Sequence, residues 1–354
     1  MTTVDVKRFQ VYRMDRFFAG SLLVSIGILL TTTGGSWDIT NHLINRPEIF
    51  FSAPHTILYT GAGIAIVGSF TMLREQMLRR DPLKSLPTKM AVIGSIILVG
   101  AGPADFAWHQ AFGLDGLLSP THMMLVIGML SSGLGGLVGV RLAVFDKTNP
   151  KPMFTTILAT LPVWLAAAGM LHMLTLPFSN TVHFKFNPDP TLAVILATAA
   201  FPFLSSIILK SMSSMAGKKF GYVSVLGASF VAVAILTTII PDEKIRIAIP
   251  FYLINLIPIV VADVILSNSQ KKPLAYLAGA ILGMGFFTLY FPLITHTYNE
   301  VLTISPVWPS AIISTYFTDL PKFYPIIALP AIAIGALGTA VSMKIFKEHI
   351  QKID

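Results

Sequence analysis

The sequence contains no cysteine among its 354 residues, and only 12% of those residues are charged. Without thiols, the chain can form neither disulfides nor thiolate metal sites. Soluble domains carry about 25% charged residues, so this chain has too few charges for an ordinary water-soluble surface. Hydrophobic residues make up 54% of the sequence, and several apolar runs reach the roughly 20 residues that cross a bilayer as a helix. The sequence therefore predicts a multi-pass membrane protein whose first partner is the lipid bilayer.

The fold class that follows is all-α, a polytopic bundle of about ten transmembrane helices. The apolar runs place the spans near 17–37, 54–73, 89–109, 120–143, 154–175, 191–211, 219–240, 246–266, 273–295 and 324–346. No loop between these spans is long enough to form a soluble domain.

Basic residues occur mainly in alternate loops between the spans. They fall in the segments 7–16, 74–89, 141–151, 210–219, 271–272 and 344–352. Because loops on the cytoplasmic side are enriched in Lys and Arg, this pattern predicts that both termini are cytoplasmic and that the protein lies in the cell (cytoplasmic) membrane. The net charge of +8 is then explained by topology, and we predict no nucleic-acid partner.

One pattern, D-x3-H-x12-H, occurs twice near the start of the chain. Its members are Asp38, His42 and His55 in the first copy and Asp105, His109 and His122 in the second. Each member of the second copy lies 67 positions after its counterpart, as 105 follows 38. Four of the eight histidines thus fall into register. The shift predicts a tandem duplication of a two-helix hairpin, over about 20–73 and 87–140.

The spacing within each copy is typical of a metal site. Residues four apart lie on one face of a helix, so Asp38 and His42 can share an ion. The third ligand then follows a short loop, in the first turn of the returning helix. Ser52 and Ser119 stand where helix caps are expected, three residues before His55 and His122. One carboxylate and two imidazoles leave an open coordination position, a set that copper, zinc and iron all accept.

Three further histidines are candidates for additional ligands because the topology places them at the same membrane face. They are His172, His183 and His296. None has an Asp four residues before it, so polar residues of outer loops are the competing interpretation. With the opposite face cytoplasmic, we predict that the metal sites are extracytoplasmic.

The repeat also suggests how the chain is organised. We predict a duplicated metal-binding region of four helices over 1–148, followed by a six-helix transmembrane region over 149–354. No motif in the second region indicates its role.

The repeated segments resemble the C subunit of the particulate methane and ammonia monooxygenases, which are copper-containing membrane enzymes. They read GGSWDITNHLINRPEIFFSAPHTILYTG and GPADFAWHQAFGLDGLLSPTHMMLVIG. The likeness lies in the spacing of Asp and His, in the APH and SPTH entries into the second helix of each pair, and in the WH at 108–109. It covers about residues 20–140 and leaves 149–354 without a counterpart.

The resemblance implies that each of the two triads binds copper and therefore favours copper over zinc or iron. The family usually has Asn where this chain has Asp105, so the second site is more anionic here. The resemblance also implies other membrane subunits and an external electron donor as partners.

Three functions remain open on the sequence alone. The first is a copper-dependent monooxygenase, or a subunit of one, that uses dioxygen to hydroxylate a small apolar substrate at the outer membrane face. The second is a copper or zinc transporter or metal-handling protein, for which the apolar spans offer few polar residues. The third is a structural metal site that only holds helix ends together in a non-enzymatic membrane protein.

Overall fold

The computed structural model describes residues 15–43, 49–113, 117–144, 151–175, 190–243, 246, 249–268, 271–296 and 320–350. These ranges form helices and contain no β-strand. The helices are α1 (Arg16–Leu43), α2 (Ala53–Arg79), α3 (Pro82–Phe112), α4 (Pro120–Val144), α5 (Phe154–Thr175), α6 (Pro190–Met215), α7 (Tyr222–Ile239), α8 (Ile249–Ile254), α9 (Leu256–Asn268), α10 (Lys272–His296) and α11 (Leu320–Ile350).

Eight of these helices are long and apolar enough to cross a membrane. Two shorter apolar stretches, Tyr252–Asn268 and Lys272–Phe286, fall on the predicted eighth and ninth spans. The chain is thus a multi-pass, all-helical membrane protein, and this part of the sequence prediction is confirmed. Many of the large apolar side chains on α2 and α3 are exposed, as a lipid-facing surface requires.

The predicted eighth span, 246–266, is not one continuous helix. α8 ends at Ile254, and α9 starts at Leu256. Pro258 has no backbone N–H, so it cannot donate to the carbonyl of Ile254, four residues before it. The backbone N–H of Asn255 instead donates to the carbonyl oxygen of Tyr252, three residues back, at 3.2 Å. The chain is therefore broken at Asn255, which is completely buried.

Two antiparallel hairpins, α1–α2 and α3–α4, begin the fold, and each packs through a pair of glycines. A Cβ atom added at Gly61 would lie 2.5 Å from the carbonyl oxygen of Gly27. A Cβ atom added at Gly128 would lie 3.0 Å from that of Gly94. Such small residues let helix backbones approach closely in a membrane. The same sequence positions, 67 apart, thus form the tight contact in both hairpins.

Buried serines join the two hairpins in the middle of the bundle. The hydroxyl of Ser69 on α2 lies 2.9 Å from that of Ser95 on α3, and both Ser69 and Ser132 donate to the carbonyl oxygen of Ala91 at 3.1 Å. Interhelical hydrogen bonds of this kind contribute to helix association in lipid. They hold α2, α3 and α4 in one unit, so that the Asp/His ends of both hairpins lie at the same end of the bundle.

The C-terminal helices cover the open side of this unit. α7 contacts α1 through the hydroxyls of Ser36 and Thr237, which lie 2.9 Å apart. The rings of Trp164 on α5 and Phe230 on α7 stack with centroids 4.2 Å apart. Helices from the two predicted regions therefore share a core, and together they enclose the end of the bundle that carries the Asp/His residues.

Candidate metal centre

A cavity of about 130 Å³ lies among α1, α2, α3, α4, α5, α7 and α8. Six of the predicted site residues line it: Asp38, His55, Asp105, His109, His122 and His172. Described members of both Asp/His sets therefore line the same cavity. Much of the remaining wall is apolar and includes Leu125, Val126, Met129 and Phe230.

The second set converges closely. Asp105, His109 and His122 each offer a ligand atom, and these atoms lie within 4.8 Å of one another. The Nε2 atoms of His109 and His122 are 3.4 Å apart. The carboxylate of Asp105 lies 3.6 Å from Nε2 of His109 and 3.5 Å from Nε2 of His122. All three residues are nearly or fully buried, so they form a compact, shielded cluster.

Backbone carbonyls determine which nitrogen of each ring faces the cluster. Nδ1 of His109 lies 3.0 Å from the carbonyl oxygen of Gly113, and Nδ1 of His122 lies 3.0 Å from that of Leu117. A carbonyl oxygen can only accept, so Nδ1 carries the proton and donates it in both contacts. In the neutral rings Nε2 is then left with a lone pair directed at the cluster. Metal-binding histidines are commonly oriented by such a bond from their other nitrogen.

The distances fit a metal ion. Two lone pairs at 3.4 Å repel each other, and a cation between them removes the repulsion. Two nitrogens bonded to a tetrahedral metal at 2.0–2.1 Å are themselves about 3.4 Å apart. The carboxylate of Asp105 supplies a negative charge on the same side. These three residues could therefore hold a transition metal with a fourth position open to the cavity.

The end of α3 and the start of α4 position the imidazoles of His109 and His122. Gly113 follows the last residue of α3 and has φ +74° and ψ −164°, a conformation that residues other than glycine rarely adopt. Its N–H donates to the carbonyl oxygen of His109 at 2.9 Å. This turn aims the Gly113 carbonyl at the ring of His109. At the start of α4, the hydroxyl of Ser119 accepts from the N–H of His122 at 3.1 Å. The cap predicted at Ser119 is thus present, and it fixes His122 in the first turn.

The structure describes the side chains of two members of the first set, Asp38 and His55. Nε2 of His55 lies 3.2 Å from Oδ2 of Asp38, and Nδ1 of His55 lies 3.1 Å from the carbonyl oxygen of Ile49. Ser52 caps α2 by accepting from the N–H of His55 at 3.4 Å, as its position predicts. The first site therefore repeats the ring orientation of the second. His42 belongs to α1, but its side chain lies outside the described residues.

The three additional candidates differ in position. His172 comes from α5 and lines the cavity, with its ring centroid 5.2 Å from that of Phe201. His296 belongs to α10, and its side chain lies outside the described residues, as does the whole of His183. Of the three, only His172 is thus placed at the cavity by the described structure.

Asp263, a buried carboxylate on α9, has a clear structural role. Oδ2 of Asp263 accepts from the N–H groups of Gly221 and Ser224 at 3.0 and 2.9 Å, and from the hydroxyl of Ser224 at 2.7 Å. These donors belong to the first turn of α7 and the residue before it. Asp263 on α9 therefore caps α7, a contact between distant segments that the local sequence does not reveal.

Sequence reasoning also missed residues that shape the candidate metal centre. Thr121 donates its hydroxyl to Oδ1 of Asp105 at 2.6 Å, while Gly113 and Leu117 supply the carbonyls that orient the histidines. Glycine is common directly after the last residue of a helix, and this position was the only feature of Gly113 that the sequence could have indicated.

Comparisons with protein-family models, with curated proteins and with solved structures find no match to this chain.

Proposed function

We propose that this protein is a copper-dependent membrane oxidoreductase, or a subunit of one, related to the C subunit of the particulate monooxygenases. It hydroxylates a small apolar substrate with dioxygen. The observation that carries the proposal is the position of the Asp105, His109 and His122 cluster in the wall of a largely apolar cavity. Ligand pockets are commonly concave and apolar with a few converging polar groups.

The residues of the chain divide the work between metal binding and substrate binding. Asp105, His109 and His122 hold the metal, and the lone pairs on Nε2 make both rings ready to bind without a change of tautomer. Val126 and Met129, one and two turns after His122 on α4, form an apolar surface for the substrate. Leu165 on α5 and Phe230 on α7 add further apolar surface to the wall of the same cavity.

Bound copper would supply the redox chemistry that dioxygen requires. In the overall reaction a C–H bond becomes a C–OH bond, and the second oxygen atom leaves as water. That balance takes up two electrons and two protons for each dioxygen. The electrons come from an external donor, which makes a partner subunit or a carrier part of the proposal.

The first set, Asp38, His42 and His55, is proposed as a second copper site that arose by duplication of the hairpin. Three observations support the common origin of the two hairpins. They are the constant shift of 67 positions, the matching glycine contacts between helices, and the matching orientation of the histidine rings by backbone carbonyls.

The cavity end of the bundle is proposed to face the outside of the cell membrane. Among the described residues, basic side chains gather at the opposite helix ends, such as Arg79 on α2, Arg141 on α4 and Lys210 on α6. Cytoplasmic ends of membrane helices carry this excess of positive charge.

The experiment combines metal analysis with a test for turnover. Purified protein is loaded with copper and given a short-chain alkane or alkene, dioxygen and a chemical electron donor. We expect oxygen-dependent alcohol or epoxide from the wild type and none from Asp105→Ala. Copper binding without product would leave the transport and structural functions, which metal flux into liposomes separates. The absence of copper from the loaded protein would reject the proposal.

A variant of the cavity tests the substrate part separately. Gly169 on α5 lines the cavity, and a Cβ atom added there meets no heavy atom within 4 Å. The first atom of a longer side chain therefore has room, and we expect the ring of Gly169→Phe to occupy part of the cavity. We expect it to keep its copper and lose turnover, whereas Gly63→Phe, at another glycine with open surroundings on α2, should keep both.

A further inference from the structure

Thr121 connects the metal centre to the start of α4. Its hydroxyl donates to Oδ1 of Asp105 at 2.6 Å, a short bond between buried groups. The hydroxyl of Ser119 lies 3.1 Å from that of Thr121. Ser119 also accepts from the backbone N–H of His122 at 3.1 Å. One metal ligand, Asp105, is thus joined through two hydroxyls to the backbone of another, His122.

The groups at the two ends of this chain determine the direction of each hydrogen bond in it. The backbone N–H of His122 can only donate, and an ionised carboxylate can only accept. Thr121 therefore gives its hydrogen to Asp105, and Ser119 gives its own to Thr121. Each hydroxyl both accepts and donates, and hydrogen bonds in such a chain strengthen one another. The chain fixes the orientation of the Asp105 carboxylate before any ion is bound.

The first hairpin cannot form the same chain. Its cap is present, because Ser52 accepts from the N–H of His55 at 3.4 Å. The position 67 residues before Thr121, however, is Pro54, whose side chain has no hydroxyl to donate. The hydroxyl that Thr121 provides in the second hairpin therefore has no counterpart at this position of the first. The two sites of the repeat therefore have the same types of candidate ligand but differ in the neighbouring residue, which is Thr121 in the second and Pro54 in the first.

We infer that Thr121 is a positioning residue that raises the metal affinity of the Asp105 site by holding the carboxylate of Asp105 in place. The inference rests on the proposed function, since it assumes that Asp105, His109 and His122 bind metal. Removing a group that hydrogen-bonds to a metal ligand and orients it commonly lowers the metal affinity by about 10- to 100-fold. Thr121 does not itself contact the ion in this account, so its effect reaches the metal only through Asp105.

The test measures the affinity of each site for copper(II) alone. Purified protein in detergent is titrated with copper(II) in competition with a chelator. The Asp38→Ala variant leaves only the second site to bind copper, and the Asp105→Ala variant leaves only the first. In the Asp38→Ala background, Thr121→Val should weaken binding about 10- to 100-fold, and Thr121→Ser, which keeps the hydroxyl, should restore it.

Two controls separate this role from a general loss of structure. Thr121→Val should leave the first site unchanged in the Asp105→Ala background. Thr60→Val makes the same change at an exposed position on α2, where the hydroxyl bonds only the carbonyl of Thr56 at 2.7 Å, and should leave both sites unchanged.

The outcomes distinguish this inference from the proposed function. If the protein binds no copper, both are rejected. If copper binds but Thr121→Val binds as tightly as Thr121 at the second site, only the role of Thr121 is overturned. The same holds if Thr121→Ser is as weak as Thr121→Val, because a hydroxyl in place would then make no difference.

Discussion

Nε2 of His109 and Nε2 of His122 face each other at 3.4 Å in the wall of a buried cavity. Both rings donate from Nδ1 to a backbone carbonyl at 3.0 Å, so neither neutral ring can turn its proton toward the other without losing that bond. Asp105 lies beside the pair. Backbone carbonyls thus orient both imidazoles, and the hydroxyl of Thr121 holds the carboxylate of Asp105 beside them.

Gly113 should be essential for the orientation of His109. Its φ of +74° and ψ of −164° suit glycine alone, so Gly113→Ala should cost about 1–3 kcal/mol and displace the carbonyl that holds Nδ1. We expect weaker copper binding together with a lower thermal unfolding temperature in detergent. Gly100→Ala, on the same helix with no heavy atom within 4 Å of an added Cβ, should change neither. Equal copper affinity for both variants would contradict this role.

Gly61 should be required for the contact between α1 and α2. A Cβ atom there would lie 2.5 Å from the carbonyl oxygen of Gly27 and 2.6 Å from the backbone nitrogen of Thr31, and a backbone cannot move aside locally. Gly61→Ala should therefore destabilise the protein by about 1–3 kcal/mol. Gly63→Ala, two residues away with no neighbour within 4 Å, is the matched control. The two variants are compared by thermal unfolding, and identical curves would show that the helices do not pack as described.

Asp263 should contribute to stability and not to metal handling. Asp263→Ala removes the acceptor of three hydrogen bonds at the start of α7, and the loss of a helix cap costs about 0.5–2 kcal/mol. Asp263→Asn keeps one acceptor oxygen and should lose less. Both variants should bind copper as the wild type does. A loss of metal flux without a loss of thermal stability would instead favour the transport function.

The membrane orientation can be tested by labelling, because the chain has no cysteine of its own. Phe51 is exposed beside the cavity end of α2, and Arg80 is exposed at the other end. In intact cells, a membrane-impermeant maleimide should label Phe51→Cys and should label Arg80→Cys only after the cells are opened. The reverse pattern would place the metal centre on the cytoplasmic side.

Much of the fold could be predicted because membrane helices are encoded locally. An apolar run of sufficient length specifies a span, and Ser52 and Ser119 mark the starts of α2 and α4 in the sequence itself. The break at Asn255 was harder to predict, since Pro258 is tolerated inside many membrane helices and has this effect only in its own packing environment.

The candidate site was predictable only in part. The repeat indicated the candidate ligands, because residues four apart on a helix share a face. Neither the bond from Thr121 to Asp105 nor the contribution of Phe230 and Tyr252 to the cavity wall follows from any local pattern. The first contact depends on how α3 and α4 pack within their hairpin, and the other two bring in helices that lie far away in the chain.

The central claim is that Asp105, His109 and His122 bind a metal ion. The most direct measurement is the copper affinity of the purified wild type beside Asp105→Ala, His122→Ala and Asp81→Ala, the last a capping Asp at the other end of α3. We predict that the wild type and Asp81→Ala bind alike and that the other two variants lose the second site. Unchanged copper binding in Asp105→Ala and His122→Ala would contradict the claim.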